Sequence, residues 1–294
     1  MKISIASGKG GTGKTTVTAS LASIWSTPLV AVDLDVEEPN LHLFLNPEIT
    51  GHETALMEVP VADESLCNQC RKCTEICQFK AISVLGDVIL TFTEMCHGCG
   101  GCIAVCPEGA LSAGSRELGE ISWGTVGSVD FLMGRLRVGE AMSPPLMRQV
   151  KQRLAQMIDG RDCDVIIDAP PGVSCPAVAA VMDADAIVLV TEPTPFGVFD
   201  LALAHQAFAP LGKPMAVVVN RAGIGSPDVY KVCKDRDLPI IAEIPYDRRI
   251  AEAYADGRIV ADATPETRGI FDEMVQRIRS MVPDADCRSE VSHG

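Results

Sequence analysis

Two stretches of this sequence hold residues whose types and spacing suffice for chemistry. The first is Gly8-Lys9-Gly10-Gly11-Thr12-Gly13-Lys14-Thr15-Thr16, directly after the apolar run Ile3-Ala6. Glycines at this density let successive backbone N–H groups turn inward around phosphates, and a helix opening there adds its positive end. Lys14 would neutralise the β- and γ-phosphates of a nucleotide, and the Thr15 hydroxyl would ligate Mg²⁺. The second is a pair of runs, Cys67-x2-Cys70-x2-Cys73-x3-Cys77 and Cys96-x2-Cys99-x2-Cys102-x3-Cys106, which hold eight of the twelve cysteines. In a cytosolic chain such spacing points to metal rather than to disulfides.

Paired Cys-x2-Cys motifs also hold tetrahedral Zn²⁺. Two complete four-cysteine runs favour iron, because they resemble bacterial two-cluster ferredoxins, in which three close cysteines grip one 4Fe-4S cubane and the distant fourth ligates the other. The resemblance implies one cluster on Cys67, Cys70, Cys73 and Cys106, and a second on Cys96, Cys99, Cys102 and Cys77. The repeat extends to Phe79-Lys80-Ala81-Ile82 and Glu108-Gly109-Ala110-Leu111, and it departs from the ferredoxin pattern at Gln78, where a proline is usual.

The second lysine of the glycine loop, Lys9, makes the loop resemble the deviant Walker A motif of the MinD, ParA and nitrogenase iron protein superfamily. In that family this lysine reaches the nucleotide of a partner subunit, so the resemblance implies ATP-dependent pairing, as a homodimer or with a related subunit. It also implies that Asp35 in Asp33-Leu34-Asp35 positions the attacking water, with Asp33 in the metal shell. Asp168, in Asp168-Ala169-Pro170-Pro171-Gly172, would hold Mg²⁺ through water, and Gly172 would sense the γ-phosphate. Asn220 would hydrogen-bond adenine, with Pro245 in the loop that closes over the base. Cys175 matches a cluster-ligating cysteine of the nitrogenase iron protein, but its second ligand has no counterpart here, which favours a free thiol. Cys163, Cys233 and Cys287 have no partner spacing and are expected to be ordinary packing or surface residues.

These side chains need a scaffold that gathers strand ends. The runs Ile3-Ala6, Leu29-Val32, Val165-Ile167, Ala186-Val190, Met215-Val219 and Ile240-Ile244 alternate with longer amphipathic stretches. Continuous apolar strands separated by helices predict an α/β fold, a mostly parallel, doubly wound sheet covered on both faces. Ligands of such sheets sit at the carboxyl ends of the strands, where the Asp motifs fall. The cysteine-rich part breaks the rhythm and reads as a small α+β ferredoxin-like insert at 60–115, splitting the ATPase domain into 1–59 and 116–294. The segment from Gly119 to Ser143 carries no clear pattern. Ile270, Phe271, Met274, Val275, Ile278, Met281 and Val282 recur at helical spacing and predict a helix packed on the sheet.

Of the 294 residues, 47% are hydrophobic and 22% charged, which is a globular composition. A formal charge of −14 repels a phosphate backbone, and no apolar run is long enough to span a bilayer. Neither direct nucleic-acid binding nor membrane insertion is expected. Met1 leads straight into the first strand and the glycine loop, without room for a signal peptide, so the reading expects a cytoplasmic protein. The function expected is an ATPase with ATP, Mg²⁺ and two 4Fe-4S clusters as cofactors, coupling nucleotide-driven dimerisation to electron transfer or metallocofactor assembly on a redox partner. The second reading is a positioning or cell-division switch with a redox-sensing module.

Overall fold

The computed structural model describes residues 1–282. The chain opens with β1 (Lys2–Ala6), α1 (Lys14–Ile24), β2 (Leu29–Asp33) and α2 (Leu41–Leu45). A long strand β3 (Glu48–Ala62) leads to α3 (Lys72–Ile76), the hairpin β4 (Ile82–Leu85) and β5 (Val88–Thr91), and α4 (Gly101–Ala104). The return is β6 (Leu111–Val126), then β7 (Val129–Leu136), α5 (Ser143–Ile158), β8 (Asp164–Asp168), α6 (Cys175–Val181) and β9 (Ala186–Thr191). The chain continues through α7 (Pro195–Phe208), β10 (Met215–Ala222), α8 (Asp228–Asp235), β11 (Ile240–Pro245), α9 (Arg248–Ala255) and α10 (Pro265–Met281).

All six expected strands are present, and they sit in one sheet of order β11-β10-β9-β1-β8-β2-β7-β6-β3. Every pairing from β11 to β7 is parallel, and the last two, β7 with β6 and β6 with β3, are antiparallel. Successive strand residues face opposite ways, so the sheet feeds two cores. Val30 and Val32 pack with Leu146 and Val150 of α5 and Ala177 of α6, whereas Leu29 and Ala31 pack with Leu21 of α1 and Phe271, Met274 and Ile278 of α10. The terminal helix therefore covers the sheet, as its spacing predicts.

The pattern that sequence reading leaves unassigned is the antiparallel edge. β6 and β7 form a hairpin closed by Gly127 and Ser128, with Gly127 at φ 56°, the left-handed conformation a tight hairpin turn demands. A Cβ on Gly119 would lie 2.0 Å from the Arg135 carbonyl oxygen, so the glycine content that hides the strand is required by its close neighbour. β3 and β6 pair from Glu48 with Thr125 to Ala62 with Leu111. This ribbon runs unbroken through positions 60 and 115, so the cysteine-rich part grows directly out of the sheet edge.

That part has a small core of its own, Ile82, Val84, Ile89 and Leu111, against which Cys67, Cys73, Cys77, Cys102 and Cys106 pack. Cys96 packs instead against the larger core beneath α5.

Phe271→Ala should lower the unfolding free energy by about 3–5 kcal/mol, the usual cost of emptying a buried aromatic site. Urea denaturation followed by far-ultraviolet circular dichroism reads it; a loss below about 1 kcal/mol would contradict a packed α10.

Candidate nucleotide and metal sites

The glycine loop joins β1 to α1 at the carboxyl edge of the sheet. Gly11 and Gly13 have φ of 79° and 92°, and a Cβ on Gly13 would lie 2.3 Å from Asn220 Nδ2. Other side chains at these positions would strain or fill the loop. A cavity of about 690 Å³ opens here, lined by Lys9, Gly10, Gly11, Gly13, Lys14, Thr15 and Thr16 on one side and Asp35, Asn220, Pro245 and Tyr246 on the others. The Thr12 hydroxyl is buried without a hydrogen-bond partner among the described residues.

Lys14 Nζ lies 2.9 Å from Asp168 Oδ1 and 3.9 Å from Asp35 Oδ2. Among the described residues it makes these ion pairs without an aligned hydrogen bond. Thr15 Oγ1 donates to Asp168 Oδ2 at 2.7 Å, bringing together the hydroxyl and carboxylate that would share Mg²⁺. Thr18, one turn further along α1, donates to Asp168 Oδ1 at 2.8 Å and fixes that carboxylate. Its spacing from Lys14 and Thr15 puts it on their helix face, a signal the sequence reading passed over.

Burial, opposed by Lys14 and reinforced by Asp168, pushes Asp35 up to about 6. Burial and the facing Asp168 push Asp33 up to about 8. Asp33 spends both oxygens on backbone donors, accepting from Asp35 N at 3.0 Å and Leu41 N at 2.9 Å. It anchors the loop carrying Asp35.

Three other expected roles meet occupied atoms. Asn220 donates from Nδ2 to the Thr12 carbonyl at 2.8 Å, and its Oδ1 accepts from Arg221 N, so its amide props the glycine loop. Gly172, at φ 92°, donates its N–H to the Ser7 carbonyl at 2.9 Å, which docks the Asp168 loop on the glycine loop. Lys9 Nζ donates to Glu192 Oε1 at 2.6 Å, and Arg221 pairs with the other oxygen at 2.9 Å. Burial alone would raise Glu192, but Lys9 and Arg221 prevail and hold it below the usual carboxylate range. Glu192 follows the apolar run Ala186-Val190, and the strand-end rule that singles out Asp35 and Asp168 would have found it.

The eight cysteines fall into two groups around separate cavities. One cavity is lined by Cys67, Cys70, Cys73 and Cys106, the other by Cys77, Cys96, Cys99 and Cys102. The backbone repeats itself: Gln69 and Arg71 are left-handed at φ 61° and 60°, their counterparts Gly98 and Gly100 at 64° and 67°, and Lys80 at 57° matches Gly109 at 62°. A left-handed conformation costs a non-glycine residue about 1–2 kcal/mol, and here it turns backbone donors toward sulfur. Gln69 N donates to Cys67 Sγ and Ala81 N to Cys77 Sγ, each at 3.3 Å, and Gly98 N to Cys96 Sγ at 3.4 Å. Such donors suit thiolates. Burial pushes the equivalent thiols Cys73 and Cys102 up, a cost that metal ligation removes by displacing the proton.

Among the described residues no three His, Cys, Asp or Glu side chains converge as ligands of a single ion. A cubane asks for four thiolates spread around a cavity, and this donor set fits one. Cys70 and Cys99 are the exposed corners, one at each cavity. Outside these groups Cys175 is exposed and Cys163 half-buried, while burial pushes the Cys233 thiol up to about 11. Cys287 lies outside the described residues.

A family model for the CobQ/CobB/MinD/ParA nucleotide binding domain matches residues 3–260. An uncharacterized protein of Methanocaldococcus jannaschii is 30% identical over 290 residues, covering 96% of this chain and 98% of its own. Hydrogenase-4 component A of Escherichia coli is 29% identical over 133 residues, 44% of this chain and 61% of that protein. Among solved structures, the septum site-determining protein MinD complexed with Mg-ADP, from Pyrococcus horikoshii, is similar with a TM-score of 0.60 and 20% identity over 99% of both chains, a likeness of fold.

Asp33 generates a pH prediction. A carboxyl raised from 3.8 to about 8 keeps its proton in the folded chain after the unfolded chain has lost it. Its contribution is therefore fully present below 3.8, declines as pH rises and is gone above about 8. Urea unfolding of nucleotide-free protein should show Asp33→Asn less stable at low pH and with a flatter profile between these limits; parallel profiles would refute it.

Proposed function

The chain belongs to the CobQ/CobB/MinD/ParA nucleotide-binding family, and from that premise we propose that it hydrolyses ATP to control an iron–sulfur module carried on the edge of its sheet. The observation that carries the second half is the division of eight cysteines between two cavities, each lined by the four that ferredoxin spacing pairs. When bound, two 4Fe-4S clusters supply one-electron redox centres. Cys67, Cys70, Cys73 and Cys106 would hold one, and Cys77, Cys96, Cys99 and Cys102 the other. Cys70 and Cys99 would offer the partner protein an exposed ligand at each site. The partial likeness to a hydrogenase component supports a redox partner over a purely positional role.

On the nucleotide side, Lys14 would meet the phosphates and Thr15 with Asp168 would hold Mg²⁺. Asp35, beside Lys14 and accessible from the cavity, would orient the attacking water. Binding must break contacts as well as make them. Asn220 has to leave Thr12 to read adenine, Gly172 has to leave Ser7 to meet a γ-phosphate, and Lys9 has to leave Glu192 to reach a partner's nucleotide. These exchanges would make the dimer depend on ATP.

Two measurements test the halves separately. Anaerobically purified protein should contain about eight iron per chain, and Cys99→Ala should remove roughly half of it; stoichiometric zinc without iron would overturn the iron–sulfur reading. Lys14→Ala should lose ATP binding, whereas Asp35→Ala should bind ATP, lose turnover by at least about tenfold and accumulate as a dimer by size exclusion. An Asp35→Ala protein that hydrolyses ATP at the wild-type rate would remove Asp35 from the chemistry.

A further inference from the structure

We propose that Arg116 is a buried cation that raises the reduction potential of the cluster held at Cys77, Cys96, Cys99 and Cys102, and so sets the two cysteine sites apart. The proposal rests on the iron–sulfur reading above. Arg116 lies on β6 opposite Met57 of β3. Met57 is also the side chain that a Cβ on Gly98 would meet at 2.8 Å, so the loop from Cys96 to Cys99 sits on the Arg116 rung of the ribbon.

The guanidinium is held in place. Its side chain is only 9% exposed; NH1 pairs with Glu140 and, at 3.3 Å, with Glu94, two residues before Cys96. NH2 donates to Glu140 Oε1 at 3.3 Å. Nε is buried with no hydrogen-bond partner among the described residues. An unpaired buried donor is costly, and a charged one more so, unless something meets it. Glu94, which pairs with Arg116 NH1, stands two residues before Cys96 in the same loop, so the ion pair ties the guanidinium to the chain that carries the second site. The first site has no such neighbour among the described residues: Arg71 and Lys72, which line its cavity, are exposed. Screened charges act weakly and buried ones strongly.

Reduction adds negative charge to a cluster, so a fixed cation beside it favours the reduced form. Arg116, Arg137, Glu94 and Glu140 form one network with two charges of each sign. Removing Arg116 leaves it net negative, and removing Glu94 leaves it net positive. The two substitutions should shift the potential in opposite directions, which a purely structural joint would not do.

The experiment is an anaerobic redox titration of the full-length protein followed by electron paramagnetic resonance, with iron measured first. The signal lost in Cys99→Ala identifies the second site. Arg116→Gln should lower that site's midpoint potential and leave the other in place, Arg116→Lys should restore most of it, and Glu94→Gln should raise it. Glu94 is 66% exposed, so that variant carries the test if Arg116→Gln fails to fold. Wild-type protein without iron overturns the iron–sulfur reading itself. Iron-replete variants whose titrations superimpose on the wild type, or shift both sites alike, overturn the role of Arg116 alone.

Discussion

Everything at the carboxyl edge of the sheet follows from a charge imbalance. Asp33 and Asp168 end neighbouring strands in register, Asp35 follows within the next loop, and the ammonium of Lys14 is the cation among them. Carboxylates this buried cannot all ionise beside one cation, and burial accordingly raises Asp33 and Asp35. Thr15 and Thr18 donate to Asp168, the one of the three that meets Lys14 most closely. The arrangement is suited to a nucleotide arriving with Mg²⁺, whose positive charge would offset the repulsion among these carboxylates.

The cysteine-rich part obeys a different constraint, the backbone path. Its two halves repeat a left-handed turn after the first and second cysteine, and one half uses glycine where the other strains Gln69 and Arg71. The same left-handed turn in duplicate, kept in one half even at the cost of strain, marks a conformation the chain must adopt rather than one it drifts into. What it gains is N–H donors facing sulfur at both sites.

The glycine loop and the six buried strands were legible because each rests on local spacing, whereas the grouping of the cysteines came from the resemblance to two-cluster ferredoxins. β3, β6 and β7 were not legible, since Gly119 and its neighbours answer to a facing carbonyl that only the folded sheet supplies. For Asp33 the sequence gives the place at a strand end, whereas the N–H groups that its two oxygens accept from lie further along the loop and are seen only in the fold. The strand-end position of Glu192 can be read from the sequence but its pairing with Lys9 cannot, and Arg116 is distant in sequence from Glu140, so no spacing rule reaches either contact. Polar side chains that bridge elements belong to tertiary structure.

Coupling between the two sites needs more than a shared chain. The ribbon of β3 and β6 is paired along its whole length, so it would carry the cysteines as a rigid body and leave their surroundings unchanged. Thermodynamic linkage requires instead that nucleotide alter the charge or solvation around one cavity. The hydrogen bonds at Glu140 are where such a change would have to act. One Glu140 carboxylate neutralises Arg116 and also accepts from Ala141 N and Met142 N at the entry to α5. Further along α5, Lys151 donates to the Ala179 carbonyl of α6, the helix that follows the Asp168 loop. A shift of α6 with that loop would therefore bear on α5 through Lys151, and a shift of α5 would bear on the carboxylate that pairs with Arg116.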